Sequence, residues 1–246
     1  MATFVLVAGF HLGGWAWRGV TGPLREAGHT VYPLSLTGLA ERVHLASPQV
    51  ELETHVADIL NLLEYEELRD VILVGHSYGG LPVRAAADRA SSRLGRVVYV
   101  DSGPLPDGVA YLDGLPPAAR EQTERLVAER GDGWRIPPPA WDPAADPVNL
   151  AGLEAEHLAL LRRLSVPQPF GTATQPVRVR GAGHPATTLV LCTFPLDQVR
   201  ALSASGHPFF RELREGSFHF VELPTGHYPM LSRPVDLARL LAEAAR

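Results

Sequence analysis

The run Val71-Ile72-Leu73-Val74-Gly75-His76-Ser77-Tyr78-Gly79-Gly80, with a helical pattern over residues 81–90 behind it, constrains the fold more than any other segment. Four β-branched or aliphatic residues in succession read as a strand buried on both faces, flanked by neighbours and covered by helices. That strand meets Gly-x-Ser-x-Gly, and a helix starts at once. Serine at such a turn is held in a strained conformation that displays its hydroxyl at the carboxyl end of the sheet. The glycines admit close backbone packing, and the helix N-terminus favours negative charge developing nearby. Ser77 therefore reads as a nucleophile. The alternative, a glycine-rich turn with an incidental serine, does not explain why strand, motif and helix stand in register.

The same alternation runs along the chain. Residues 4–8, 30–34, 71–74, 97–100, 187–192 and 218–223 read as buried strands, and residues 50–65, 81–90 and 234–245 as helices, the last with Ser232 near its N-cap. The expected class is α/β: a doubly wound, mostly parallel sheet of about six strands. Residues 104–185 break the rhythm, with no convincing strand and 13 of the chain's 22 prolines. They read as an inserted helical cap, with helices near 116–130 and 148–164, on a core formed by residues 1–103 and 186–246.

Composition then removes whole classes of chemistry. All 22 basic residues are arginine, so no lysine exists for a Schiff base or a P-loop phosphate site. A net charge of −5 without clustered arginines argues against nucleic acid as a partner. A single cysteine, Cys192, can form no internal disulfide and fits a reducing compartment. The ten histidines form no HExxH, and no CxxC occurs, so neither a metal nor another cofactor is expected. The N-terminus lacks a basic n-region, and no apolar run is long enough to span a bilayer. The expectation is a cytoplasmic protein with a small-molecule substrate and no membrane partner; its oligomeric state is left open.

A second glycine-rich turn, Gly9-Phe10-His11-Leu12-Gly13-Gly14-Trp15, follows the first strand. It lacks GxGxxG, and no acid ends the second strand to hold a ribose. In an acyl-transfer reading it supplies one oxyanion N–H, from Phe10, while Tyr78 supplies the other. His227, after the last strand, stands where the base belongs in the order Ser…acid…His. The remaining histidines read as surface or packing residues, His76 pointing away from the serine. His11 is the exception, since its loop lines the same pocket.

With these residues placed, a resemblance emerges. Gly13-Gly14-Trp15-Ala16-Trp17, the elbow at residues 75–80 and Gly226-His227-Tyr228-Pro229-Met230-Leu231 resemble the α/β-hydrolase branch that holds plant methylesterases and hydroxynitrile lyases. Leu36-Thr37-Gly38-Leu39-Ala40-Glu41-Arg42-Val43-His44-Leu45 is similar to bacterial esterase-like members of that branch. The resemblance implies the α/β-hydrolase fold, a Ser–His–acid site, a helical lid and no cofactor. Ala8 departs from it, because many relatives carry histidine there.

Two carboxylates compete for the acid. Relatives commonly place it just past the strand ending here at Thr193, but the next acid is Asp197, which also suits the N-cap of a short helix over residues 198–202. Asp101 ends an earlier strand at the same sheet edge and needs no loop distortion, so it is favoured, with Asp197 the alternative. The expected reaction is hydrolysis of an ester or thioester through an acyl-enzyme. His11, Trp15, Trp134, Trp141, Phe170 and Tyr228 are candidates for an apolar pocket. The resembling lyases use a lysine beside the catalytic histidine, a place held here by Tyr228. A lactonase, a cyclase or C–C-bond hydrolase on the same Ser–His pair, and a non-catalytic ligand-binding homologue, remain as alternatives.

Overall fold

Strand and helix alternate as the apolar runs require. The computed structural model describes residues 1–181, 185–213 and 218–245. In chain order come β1 (Thr3–Val7), α1 (Arg18–Glu26), β2 (Thr30–Leu34), α2 (Leu52–Tyr65), β3 (Val71–His76), α3 (Gly80–Arg89) and β4 (Leu94–Val100). Then follow α4 (Pro117–Arg130), β5 (Arg135–Ile136), α5 (Ala155–Leu164), β6 (Gln168–Pro169) and α6 (Gly171–Thr174). The chain closes with β7 (Ala186–Leu191), α7 (Leu196–Ala204), β8 (His219–Glu222), α8 (Pro229–Ser232) and α9 (Pro234–Ala244).

Six strands form one sheet in the order β2-β1-β3-β4-β7-β8, and every described pairing in it is parallel. Successive strand residues face opposite sides, so the continuous apolar runs feed two cores. Phe4, Leu6, Ile72, Val74, Val98 and Val100 pack with Trp17, Leu24, Leu237 and Leu241 on the side of α1 and α9. Val5, Val7, Leu73, Val97 and Tyr99 pack with Ile59, Leu63, Val83 and Ala86 on the side of α2 and α3. Burying a Val or Leu side chain fully stabilises the fold by about 1.5–3 kcal/mol, and that burial holds β1, β3 and β4 at the centre.

All six expected strands form, with ends displaced by a few residues. The segment between β4 and β7 differs more. It does contain strand: β5 and β6 pair antiparallel through Arg135–Pro169 and Ile136–Gln168. Two-residue strands are too short to show the period-2 pattern. Its second helix begins at Ala155, not near Val148, because Gly152 takes φ +76° and Asp146 uses its carboxylate to accept the Asn149 N–H. The N-cap of α9 is Arg233, next to Ser232, whose hydroxyl donates to the Tyr228 carbonyl. Residues 182–184 of the expected cap lie outside the described residues. No helix among the described residues is long and apolar enough to cross a membrane.

Candidate active site

Ser77 stands where β3 gives way to a 3-10 turn, Ser77–Gly79, that leads into α3. Its φ is +51°, a left-handed conformation that costs a non-glycine residue about 1–3 kcal/mol. The neighbouring glycines make room for it. A Cβ on Gly79 would lie 2.6 Å from the Ala8 carbonyl oxygen, and one on Gly75 would lie 2.8 Å from that of Gly79. The Ser102 hydroxyl donates to the Ser77 carbonyl at 2.7 Å and ties the turn to the end of β4.

His227 arrives from the loop after β8. Its N–H donates to the Asn149 carbonyl at 2.8 Å, and its carbonyl accepts from His76 Nε2 at 2.6 Å. The ring is thereby fixed between two partners: the Ser77 hydroxyl lies 2.8 Å from Nε2, and Asp101 Oδ2 lies 2.6 Å from Nδ1. An ionised carboxylate can only accept, so Nδ1 carries the proton and Nε2 is the free base facing Ser77.

Asp101 directly follows β4 at φ +44°, with its side chain 4% exposed. Oδ1 accepts the N–H groups of Cys192 and Thr193, each at 3.0 Å, and Oδ2 accepts the Thr193 hydroxyl at 2.8 Å. Burial pushes the Asp101 pKa up, but the hydrogen bond and charge of His227, with the Thr193 donors, outweigh it and hold the group near 2. Asp197 is elsewhere. It sits in the first turn of α7, behind an N-cap that is Pro195, with a 95% exposed side chain paired to Arg200 at 3.3 Å. The structure brings Asp101 to His227 and leaves Asp197 in solvent.

Phe10 and Tyr78 face the same cavity as Ser77. The Phe10 N–H has no hydrogen-bond partner among the described residues, and the Tyr78 N–H lies in the opening turn before α3, where amides lack helical acceptors. Their rings stack with centroids 4.3 Å apart. The Tyr78 hydroxyl donates to His55 Nδ1 at 2.8 Å, and His55 Nε2–H donates to the Thr37 carbonyl at 2.9 Å. Thr37 is in turn held by Asp58 through its N–H and hydroxyl, at 2.6 and 2.8 Å. The segment of residues 36–45 thus reaches the site through His55, whose place on the buried face of α2 was the available signal.

The cavity measures about 640 Å³. Of the six pocket candidates, His11 and Tyr228 line it, and the other four do not. Trp15 and Trp141 belong to the core on the α1/α9 side, Trp141 packing edge-on against Tyr228 at 5.5 Å. The Trp134 ring lies under the Arg135 guanidinium, and Phe170 packs against a small separate core of Leu112, Val127, Ile136 and Ala173. The apolar wall comes from Tyr111 and Leu115 together with Leu202, Phe209, Phe210 and Leu213, the Tyr111 and Phe209 ring centroids lying 5.8 Å apart. His76 is also more than a packing residue, because it anchors the backbone of His227 with their ring centroids 4.8 Å apart.

Three histidines around the site are neutral by burial. Burial lowers the pKa of His11 and His55 to about 4 and that of His76 to about 3; hydrogen-bonded carbonyls oppose the shift in each, and the charge of His227 adds to it at His76. Unfolded histidine titrates near 6.5, so between that pH and the folded values the unfolded chain binds more protons. Their contribution is complete above about pH 6.5 and is lost as pH falls. Each histidine should remove about 1.4 kcal/mol of unfolding free energy per pH unit across this window. Urea unfolding at pH 7.5, 6.0 and 5.0 should show a slope of more than one proton, whereas a flat profile contradicts the neutral-core description.

A model of the family described as "Alpha/beta hydrolase family" matches residues 4–240. A carbendazim hydrolyzing esterase from Nocardioides sp. (strain SG-4G) is 33% identical, over 98% of this chain and 99% of that protein. A putative chloroplastic methylesterase of Arabidopsis thaliana is 26% identical, over 99% of this chain and 72% of that protein. Among solved structures, an extracellular alpha/beta-hydrolase from a Paenibacillus species superposes with a TM-score of 0.82 at 21% identity, covering all of both chains. A methylesterase from Arabidopsis gives 0.69 at 20% identity, covering 99% and 98%.

Proposed function

The chain belongs to the alpha/beta hydrolase family, and on that premise we propose that it is a serine esterase in which Ser77 is the nucleophile, His227 the base and Asp101 the acid. The observation that carries this reading is the hydrogen-bond chain from Asp101 through His227 to Ser77, at 2.6 and 2.8 Å, at the wall of an apolar cavity. The full-length similarity to a carbendazim hydrolyzing esterase supports ester-type chemistry on a small molecule.

In the proposed mechanism, His227 Nε2 takes the Ser77 proton as Oγ bonds to the substrate carbonyl carbon. The resulting oxyanion is held by the Phe10 and Tyr78 N–H groups; donors of this kind are worth about 2.7–4 kcal/mol each. His227 then passes the proton to the departing alcohol oxygen as its bond to carbon breaks. Water, deprotonated by the same nitrogen, cleaves the acyl-enzyme and regenerates Ser77. Asp101 stays ionised throughout and stabilises the imidazolium.

Residues 104–185 act as the cap in this reading: Tyr111, Leu115, Pro139 and Asn149 line the cavity, and the Asn149 carbonyl holds the His227 amide. Among the described residues no arginine or glutamate lines the cavity, and its carboxylate, Asp101, is committed to His227. This lining favours an uncharged substrate with a substantial apolar part, since an unpaired ion would not be desolvated there. Wild-type protein should hydrolyse p-nitrophenyl butyrate and take up one fluorophosphonate per chain, with the adduct on the peptide containing Ser77 by mass spectrometry. Absence of both turnover and labelling would refute the assignment.

A further inference from the structure

His11 is built into the cavity in a way the hydrolytic steps do not require. It follows Phe10 on the turn after β1 at φ +69°, and its backbone is clamped to the insertion on both sides. Its N–H donates to Gln168 Oε1 at 3.2 Å, and its carbonyl accepts the Val166 N–H at 3.1 Å. The ring is fixed as well, with Nδ1 3.0 Å from the Val166 carbonyl oxygen. A carbonyl only accepts, so Nδ1 holds the ring proton and Nε2 is left as a bare acceptor. The residue is 7% exposed and lines the cavity that holds Ser77.

Nε2 of His11 has no hydrogen-bond partner among the described residues, yet it is not one of the sealed, unpartnered side-chain atoms, a group that does include His76 Nδ1. Its lone pair is therefore not sealed off, on a residue that lines the cavity. Burial keeps the ring neutral, with a pKa near 4, so at pH 7 it offers an acceptor and not a cation. Three other polar groups on the wall are committed, the Ser102 hydroxyl to Ser77, the Thr193 hydroxyl to Asp101 and the Asn149 amide to Asp146, while Gln198 and His207, the latter accepting the Phe209 N–H on Nδ1, also line the cavity. The hydroxyls of Tyr111 and Tyr228 can rotate to donate or accept. His11 cannot adapt.

We propose that His11 is a specificity-determining residue: its Nε2 accepts a hydrogen bond from an O–H or N–H group on the substrate. The site then selects uncharged esters that carry such a donor over otherwise identical esters that lack it. The physical reason is asymmetric. A matching donor replaces its own water contact with a buried hydrogen bond, whereas an apolar group at that position leaves the imidazole lone pair desolvated and unpaired.

The inference rests on the esterase reading, and the test separates the two. Methyl benzoate is compared at pH 7 with methyl hydroxybenzoates substituted at each ring position and with their methyl ethers, in wild type and in His11→Asn. Asparagine tolerates positive φ, so the turn is not strained further. We expect one hydroxy isomer to exceed methyl benzoate and its own ether by about tenfold or more in kcat/KM, the size set by one unpaired buried acceptor. That preference should fall towards unity in His11→Asn. A purely structural role would lower kcat/KM for all three substrates alike and leave the ratios unchanged, which overturns the proposal. So does a wild type without preference. A measurement on the wild type alone guards against a variant that does not fold: with ¹⁵N-labelled histidine, the His11 Nε2 resonance should move on adding phenol and not on adding anisole, and no movement with either overturns the assignment. Loss of all hydrolysis and of fluorophosphonate labelling in wild type would instead refute the esterase reading.

Discussion

Ser77→Ala should yield a folded protein whose kcat on p-nitrophenyl butyrate is lower by about 10⁶-fold, the size seen when the nucleophile of a Ser–His–Asp site is removed. Fluorophosphonate labelling should vanish with it. The substitution is clean because alanine carries the same backbone preference as serine, so the strain at φ +51° is unchanged. The Ser102 hydroxyl still has its acceptor, since it binds the Ser77 carbonyl and not the side chain. His227 keeps its bonds to Asp101, Asn149 and His76. What disappears is the Oγ that bonds to the acyl carbon. A variant that keeps more than about a hundredth of wild-type turnover would mean that the carbonyl is attacked by another group, and Ser77 would lose its assigned role.

The parts of this site differ in how far the linear sequence exposes them, and the difference is physical. The elbow is legible because its constraints are local: the run 71–74, the two glycines and the helix behind them all act within about ten residues of Ser77. The strands are legible because parallel strands buried on both faces need continuous apolar runs. His227 follows from chain order. Asp101 and Asp197 cannot be separated that way, since each follows a strand whose carboxyl end reaches the same edge. The decisive groups are the N–H donors of Cys192 and Thr193, which close on Asp101 from a strand about ninety residues later. The pocket aromatics are no more legible. Trp15 and Trp141 carry the same apolar signal as Phe209 and Phe210, and only packing decides which pair faces the cavity. His76 is hidden for another reason. Alternation along β3 gives the faces, but not that the loop carrying His227 folds back over it.

The acid is tested by a pair of variants with opposite expectations. Asp101→Asn should lower kcat by about 10⁴-fold with little change in KM, while Asp197→Asn stays within about twofold of wild type. Asparagine suits φ +44°, and its carbonyl oxygen can still accept the Cys192 and Thr193 amides, so the fold survives. Its NH₂ then occupies the place of Oδ2 and donates to His227 Nδ1. That reverses the tautomer: the ring proton moves to Nε2, which now points an N–H at Ser77 and cannot take its proton. The imidazolium formed during attack also loses its buried counter-charge. Asp197, by contrast, has only a solvent-exposed ion pair with Arg200 to lose, an interaction of about 0–1 kcal/mol, and it touches no group in the chain from Asp101 to Ser77. A large loss in Asp197→Asn with activity kept in Asp101→Asn would move the acid to α7. Mild effects in both would leave Ser77 and His227 as a dyad, with Asp101 serving only to tie β4 to the loop after β7.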